Sequence, residues 1–299
     1  MLQRILLLAL LASPVSLVYS QTTAAQDAKL RELLDLVWDF EIQESPLLAT
    51  NIGDPRGQDR LADESLDAIE RRTSRRRDFL AQLDTIPIDS VSTLAQVDHE
   101  LLRRRLDSQL ASHQFRMHLM PISKRDGFHI EFPELPRLMN PKSEADFTNY
   151  IARLNDFGRY ADQHIVLLRN GIDAGLTQPA IIMRDSVKQA ESQIVDDPNE
   201  SLLLTTIGED VRNKLGEQTW NRIADEIRDA ITDSVIPGYQ RFATFLRTEY
   251  LPACRGPIAA SALPDGRAFY QNRVRHFTTL PLSADELHAT GIRENARIR

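Results

Sequence analysis

The sequence predicts an all-α protein, a multi-helix array with little or no sheet. Apolar residues recur at spacings of three and four in segment after segment, which is the period of one helix face. No alternating apolar–polar run reaches strand length. The composition sets the scale: 299 residues, 42% hydrophobic and 26% charged, allow one large globular domain or two modest ones. A chain of roughly 300 residues buries about three quarters of the surface it exposes on unfolding, so packing alone can hold it.

The first twenty residues, MLQRILLLALLASPVSLVYS, stand apart from the helices. Arg4 precedes an apolar run from Ile5 to Ala12, Pro14 breaks it, and Val18 and Ser20 flank Tyr19. That is the pattern of a secretory signal peptide over 1–20, with cleavage expected after Ser20. The run is short of the ~20 residues a membrane span requires. No cysteine follows it to carry a lipid anchor, and no later stretch is apolar enough to cross a membrane. The remainder, 21–299, is therefore expected in the periplasm or outside the cell, without a stable membrane span.

The first helix of that remainder is DAKLRELLDLVWDFEI, with Leu30, Leu33, Leu34, Val37 and Phe40 on one face and Trp38 at its edge. Pro46, Gly53, Pro55 and Gly57 end it. A second helix is expected from about Asp63 to Leu83 and a third from about Ser90 to Gln114. Four prolines and one glycine between 121 and 141 rule out a long helix there, because proline lacks the donor and clashes with the preceding turn. Ser143, with an acid three residues on, begins the clearest helix. Phe147, Ile151, Leu154, Ala161, Ile165 and Leu168 give it a stripe, and Asn170-Gly171 or Gly175 supplies a left-handed stop. Ile223, Ile227, Ile231 and Val235 mark another helix, which Pro237-Gly238 should kink or end. Ser283 and Glu286 form a capping box for the last one.

Charge narrows the partners. Forty-three acidic against 36 basic residues give a net charge of -7, which argues against nucleic acid. The arginine runs Arg71-Arg72, Arg75-Arg76-Arg77 and Arg103-Arg104-Arg105 have Asp67, Glu70, Asp78, Glu100 and Asp107 close by, and read as solvated ion-pair faces on helices. Cys254 is the only cysteine, so no internal disulfide forms; it reads as a small packed thiol.

Catalytic signatures are missing. In HELLR, His99 and Glu100 begin as an HExxH zinc helix would, but Arg103 stands where the second histidine is needed and puts a positive charge at the cation's place. His99 is read instead as part of the polar face of its helix. His113 and His118 are five apart, which turns them away from a common helix face. His276 and His288, near Asp285, Glu286 and Glu294, leave open a weak metal or hydrolase constellation, but their spacing matches no ligand pattern. There is no GxSxG elbow, phosphate-binding glycine loop, CxxC pair or SxxK. No catalytic residue and no metal ligand is assigned.

The last forty residues carry a resemblance. LPDGRAFYQNRVRHFTTLPLSADELHATGIRENARI resembles a signature of the bacterial family called domain of unknown function 885, at Leu263, Pro264, Gly266, Tyr270, Thr278, Thr279, Leu282, Glu286, His288, Gly291 and Glu294. DFTNYIARLNDFGRYADQHIVLLRNGIDAGLTQP and ESPLLATNIGD are also similar to family segments. Members of that family are typically twice this length and are grouped with zinc metallopeptidases, because their second half carries an HExxPGH-type motif. The resemblance implies a helical zincin-like cleft of which this chain forms one half, as a truncated N-terminal part. Zinc would belong only to the missing C-terminal half, and the substrate would be a peptide or small molecule. The chain alone is expected to be inactive. Tyr270, His276, Thr278 and Thr279 are the residues expected to approach the cleft, with a turn-and-cap role before Ser283 open beside it. The alternative is a complete, non-catalytic extracellular binding or scaffold protein.

Overall fold

A computed structural model describes the backbone of residues 14–299 and side chains from Thr23 onward. Most of the signal-peptide reading therefore lies outside the described residues. Helix α1 (Pro14–Glu44) is interrupted at Ser45, and the chain restarts as a short helix, Pro46–Ile52. The serines that precede α2 (Leu66–Asp84) and α3 (Thr93–Gln114) accept from the third amide on, Ser65 from Ala68 and Ser92 from Ala95. The three long helices share one core: Leu30, Leu33 and Val37 of α1 meet Phe79 and Leu83 of α2 and Leu102 and Leu106 of α3. Phe40 and Phe79 add an edge-to-face contact at 5.4 Å.

The second core is larger and centres on α4 (Glu144–Asp173). Its capping box is formed as the sequence implies: Asp146 N–H donates to Ser143 Oγ at 3.2 Å, and Ser143 N–H to Asp146 Oδ2 at 3.0 Å. Phe147, Tyr150, Leu154, Phe157 and Leu168 all face inward. Against them runs α5 (Glu217–Ala230), continued through a π-turn at Ile231–Val235 into α6 (Ile236–Phe245), then a second π-turn at Leu246–Tyr250 and Leu251–Ala253. Pro237 thus neither ends this helix nor stands alone, since Pro252 repeats the pattern. Each proline stands two residues past the end of a π-turn. The wider turn moves away the carbonyl that the ring would strike and accommodates the missing donor.

Glycine decides where α4 stops. Gly171 stays helical, and a Cβ there would sit 2.5 Å from the Leu119 carbonyl oxygen. The helix ends at Asp173, and Gly175 takes the left-handed conformation at φ +69°. Of the two stops the sequence offered, the second is used.

The stretch rich in proline forms only short turns of helix, Phe128–Glu131 and Leu135–Met139. Among the described residues there is no strand, and one isolated parallel bridge joins Pro179 to Arg255. No helix of the described residues is long and apolar enough to cross a membrane.

Two polar readings are corrected. His99 does not lie on the polar face of α3: it is buried, and its Nε2 is 3.0 Å from the Ile86 carbonyl, while neighbouring Leu101 is the exposed residue. The arginine runs pair mainly across helices rather than along one. Arg76 and Arg105 both reach the buried Glu41 of α1, Arg72 binds Glu64, and Arg103 reaches Asp84 of α2 at 2.6 Å. The pairs with Glu41 and Asp84 tie α1, α2 and α3 together; Arg72 is buried, while Arg71, Arg77 and Arg105 stay exposed.

Candidate functional site: the α7–α8 corner

The last two helices form a corner that is mostly outside both cores. Helix α7 (Gly266–Thr278) buries only Gly266 and Val274, and α8 (Ala284–Ile298) buries nothing. Gly266 begins α7 so close to the preceding turn that a Cβ would lie 2.1 Å from the Ala260 carbonyl oxygen. Leu263 and Phe269 anchor the segment on Leu119, Leu167 and Leu176, and Phe269 meets Phe115 of α3 edge-on at 5.8 Å. Ser283 caps α8 with the expected box: Glu286 N–H to Ser283 Oγ at 3.2 Å, and Ser283 N–H to Glu286 Oε2 at 2.8 Å. The Ser283 N–H and the Ser283 hydroxyl, each donating to Glu286 Oε2 at 2.8 Å, hold that carboxyl below its ordinary pKa.

Between the two helices lies an open groove of about 670 Å³, lined by Ala259, Ser261, Arg267, Tyr270, Gln271, Ser283 and Asp285 among others. Of the four residues expected at a cleft, Tyr270 alone lines this groove; its side chain is half exposed. His276 points elsewhere: its Nδ1 is 2.7 Å from Ser108 Oγ of α3. Thr278 closes the end of α7, donating to the Val274 carbonyl at 2.7 Å and accepting from Leu280 N–H at 3.2 Å. Thr279 follows in a left-handed conformation, φ +61°, as the helix cap. The structure therefore separates the four. Tyr270 is in a groove, His276 is a tether, and the two threonines build the turn between α7 and α8.

A nucleophile and a base do meet at Ser108 and His276, but no carboxylate orients the imidazole, and His288 makes no hydrogen bond among the described residues. A triad needs all three members in register. Among the described residues no group of three or more His, Cys, Asp and Glu side chains could hold a metal ion. The donor set that a bound zinc needs does not occur among these residues. Burial pushes the Cys254 thiol up to about 11, which keeps it protonated and unreactive.

Three polar sites escaped the sequence reading. His113 and His118 stack at 5.2 Å although five positions apart, because α3 ends at Gln114 and Arg116 turns the chain at φ +52°. His113 also reaches Glu70 at 3.1 Å. In the second core, His129 is fully buried with the Gln189 side chain as the polar neighbour of its ring, and His164 Nδ1 donates to the Tyr160 carbonyl, 2.8 Å away. Burial holds both down at about 4. Finally, Arg153 is wholly buried on α4 and has no carboxylate partner. Its Nε donates to the Arg60 carbonyl, and its Nη2 to the Pro46 and Gly57 carbonyls and Thr50 Oγ1. It pins the irregular 46–60 segment to α4. The spacing of Tyr150, Arg153 and Leu154 was visible in the sequence, but nothing marked Arg153 as interior.

A family model described as "Bacterial protein of unknown function (DUF885)" matches residues 46–299. No curated protein matches the chain. Among solved structures, the chain is similar to one described as "putative lipoprotein" from Colwellia psychrerythraea, with a TM-score of 0.78 at 16% identity. That likeness covers 94% of this chain and 50% of the other, so the chain spans about half the length of the structure it matches. At such identity it establishes a shared helical fold.

Proposed function

Because this chain belongs to the DUF885 family of bacterial proteins, we propose that it is the exported N-terminal helical half of a zinc-dependent peptidase or related hydrolase. In that reading it forms one wall of the cleft and is inactive alone. The observation that carries the proposal is the pairing of coverages: nearly all of this chain superposes on only half of its structural relative. The distribution of exposed apolar side chains supports it. Ile258, Phe277, Leu280, Ile292 and Ile298 crowd the last quarter of the sequence and are each more than half exposed, with Tyr270 nearly so. Phe277 lies on α7 and Ile292 and Ile298 on α8, two helices that bury little, and exposed apolar side chains on such helices are what an interface presents before its partner is added.

Tyr270, with Arg267 beside it on α7 and Asp285 on α8, is then the polar group of this half nearest to a substrate. His276, Thr278 and Thr279 act on that site by fixing the angle of α7 and α8. Export is supported by the leader-like first twenty residues and by the lipoprotein description of the structural relative. The alternative, a complete binding or scaffold module, draws support from the two cores that close within this chain and from the local α7–α8 groove.

A hydrolysis assay separates the two. Purified chain and a full-length family member are incubated with a mixed peptide library and added zinc, and cleavage is read by mass spectrometry. The half-enzyme reading expects cleavage by the full-length protein only. Cleavage by this chain would refute it, and a full-length protein that cleaves nothing would favour the scaffold reading.

A further inference from the structure

Helix α3 is apolar on two sides. Leu102 and Leu106 face the three-helix core, and Leu94, Val97 and Leu101 face outward, each more than half exposed. The outward three are spaced by three and four, so they form one stripe about 10 Å long. The other long helices carry no such stripe. Among the described residues, α2 has one large exposed apolar side chain, Leu66 at its first position, α4 has Val166 alone, and α5 has none. In α1 the exposed Leu36 and Trp38 are two apart, which sets them on different faces. An outward helix face is ordinarily polar.

The stripe leads to the corner. Ser108 lies seven positions beyond Leu101, two turns on along the same face, and its hydroxyl meets His276 Nδ1 at 2.7 Å. Helix α7 therefore meets the outward face of α3 at Ser108, and the stripe is an uncovered part of that face. Phe277, next to His276, is exposed as well, with the Arg273 guanidinium 4.7 Å from its ring centre. Apolar surface thus runs from Leu94 to Leu101 on α3 and resumes at Phe277 on α7. Asp98, Glu100 and Arg104 flank the stripe, the polar rim around an apolar centre that interfaces show.

Size points to the occupant. A stable pair of copies takes about 800 Å² from each partner, far more than three side chains on one helix offer. The stripe is then the margin of a larger contact, continuous with the corner. In the solved relative, half of the chain lies beyond the part on which this chain superposes, so a body of that size is available to cover both.

We propose that the outward face of α3, at Leu94, Val97 and Leu101, is a docking surface for the second half of a full-length family member. This rests on the half-enzyme reading and extends its interface from the corner to the three-helix body.

Single cysteines test it: Val97→Cys for the stripe, Phe277→Cys for the corner and Ser74→Cys, an exposed position on α2, as reference. Each is made in this chain, in a Cys254→Ser background, and at the matching position of a full-length family member without other cysteines. Maleimide labelling rates are taken relative to Ser74→Cys in the same protein. Val97→Cys is expected to react about tenfold or more slowly in the full-length protein than in this chain, because reaction then requires local opening. Phe277→Cys reports the half-enzyme reading separately. Protection at Phe277→Cys with free reaction at Val97→Cys overturns the α3 surface and leaves the corner reading standing; free reaction at both overturns both. Gel filtration of this chain tests the other occupant: a dimer that Leu101→Glu dissolves assigns the face to a second copy and overturns the proposal. Circular dichroism checks each variant, and Leu94→Cys replaces Val97→Cys if that variant does not fold.

Discussion

The hydroxyl of Ser108 and Nδ1 of His276 stand 2.7 Å apart, joining the C-terminal part of α3 to α7 across 168 positions of sequence. With the Phe115–Phe269 contact and the Arg273 guanidinium on Met117 sulfur at 3.7 Å, this bond is among the few ties that hold the corner to the body. Both partners are exposed or half-buried, so the bond contributes through local order and little through global stability.

Replacing Ser108 with Ala should therefore raise amide exchange along α7 and α8 several-fold. The urea midpoint of the main transition should stay nearly unchanged, because one such bond is worth about 1 kcal/mol and opens only a local unit. Exchange mass spectrometry on the two proteins checks this; equal protection at the corner would mean the bond carries nothing.

The buried histidines predict an acid-sensitive core. His129 and His164 are both held near 4 by burial in the fold, against an ordinary 6.5. The unfolded chain therefore takes up protons first as pH falls from about 6.5, and folding stability decreases until about pH 4, where the folded histidines also titrate. Urea midpoints between pH 4 and 7.5 should fall steadily toward acid. His129→Phe should flatten that slope, because it removes one of the two buried imidazoles that titrate across it. An unchanged slope in the variant would contradict this account of His129.

Arg153 should be among the costliest single positions in the chain. Arg153→Met leaves the Arg60 carbonyl without its donor and takes the side-chain donor from the Gly57 and Pro46 carbonyls, and the loss is expected at about 2–4 kcal/mol. Arg153→Lys should recover only part of it, since a point ammonium cannot span groups that a guanidinium fork reaches at once. Chemical denaturation of the three proteins measures both steps.

How much of this was legible depended on whether the deciding interaction was local. The capping boxes at Ser143–Asp146 and Ser283–Glu286 were, and both helices start where those residues place them. The stripe Ile223, Ile227, Ile231, Val235 was legible too, but its continuation past Pro237 was not, because a π-turn depends on what packs against the helix. His113 and His118 come together through a turn at Arg116 that no helical spacing rule anticipates. Glu41 draws Arg76 and Arg105 from two other helices, a pairing that no single helix shows, while Arg71, Arg77 and Arg105 keep the exposure the sequence implies. At the corner, the motif around Tyr270, Thr278 and Thr279 marked a segment without sorting its residues. Only the coordinates show that Tyr270 lines the groove while the threonines cap the helix.

The central claim is that the chemistry of this fold resides in a second half that docks on α7 and α8. The most direct measurement is zinc content by elemental analysis after gel filtration, made on a full-length DUF885 protein and on the same protein cut at the position matching Arg299. The account predicts about one zinc per full-length molecule with peptide cleavage, and neither zinc nor cleavage in the cut form. Stoichiometric zinc and retained hydrolysis in the cut form would contradict it.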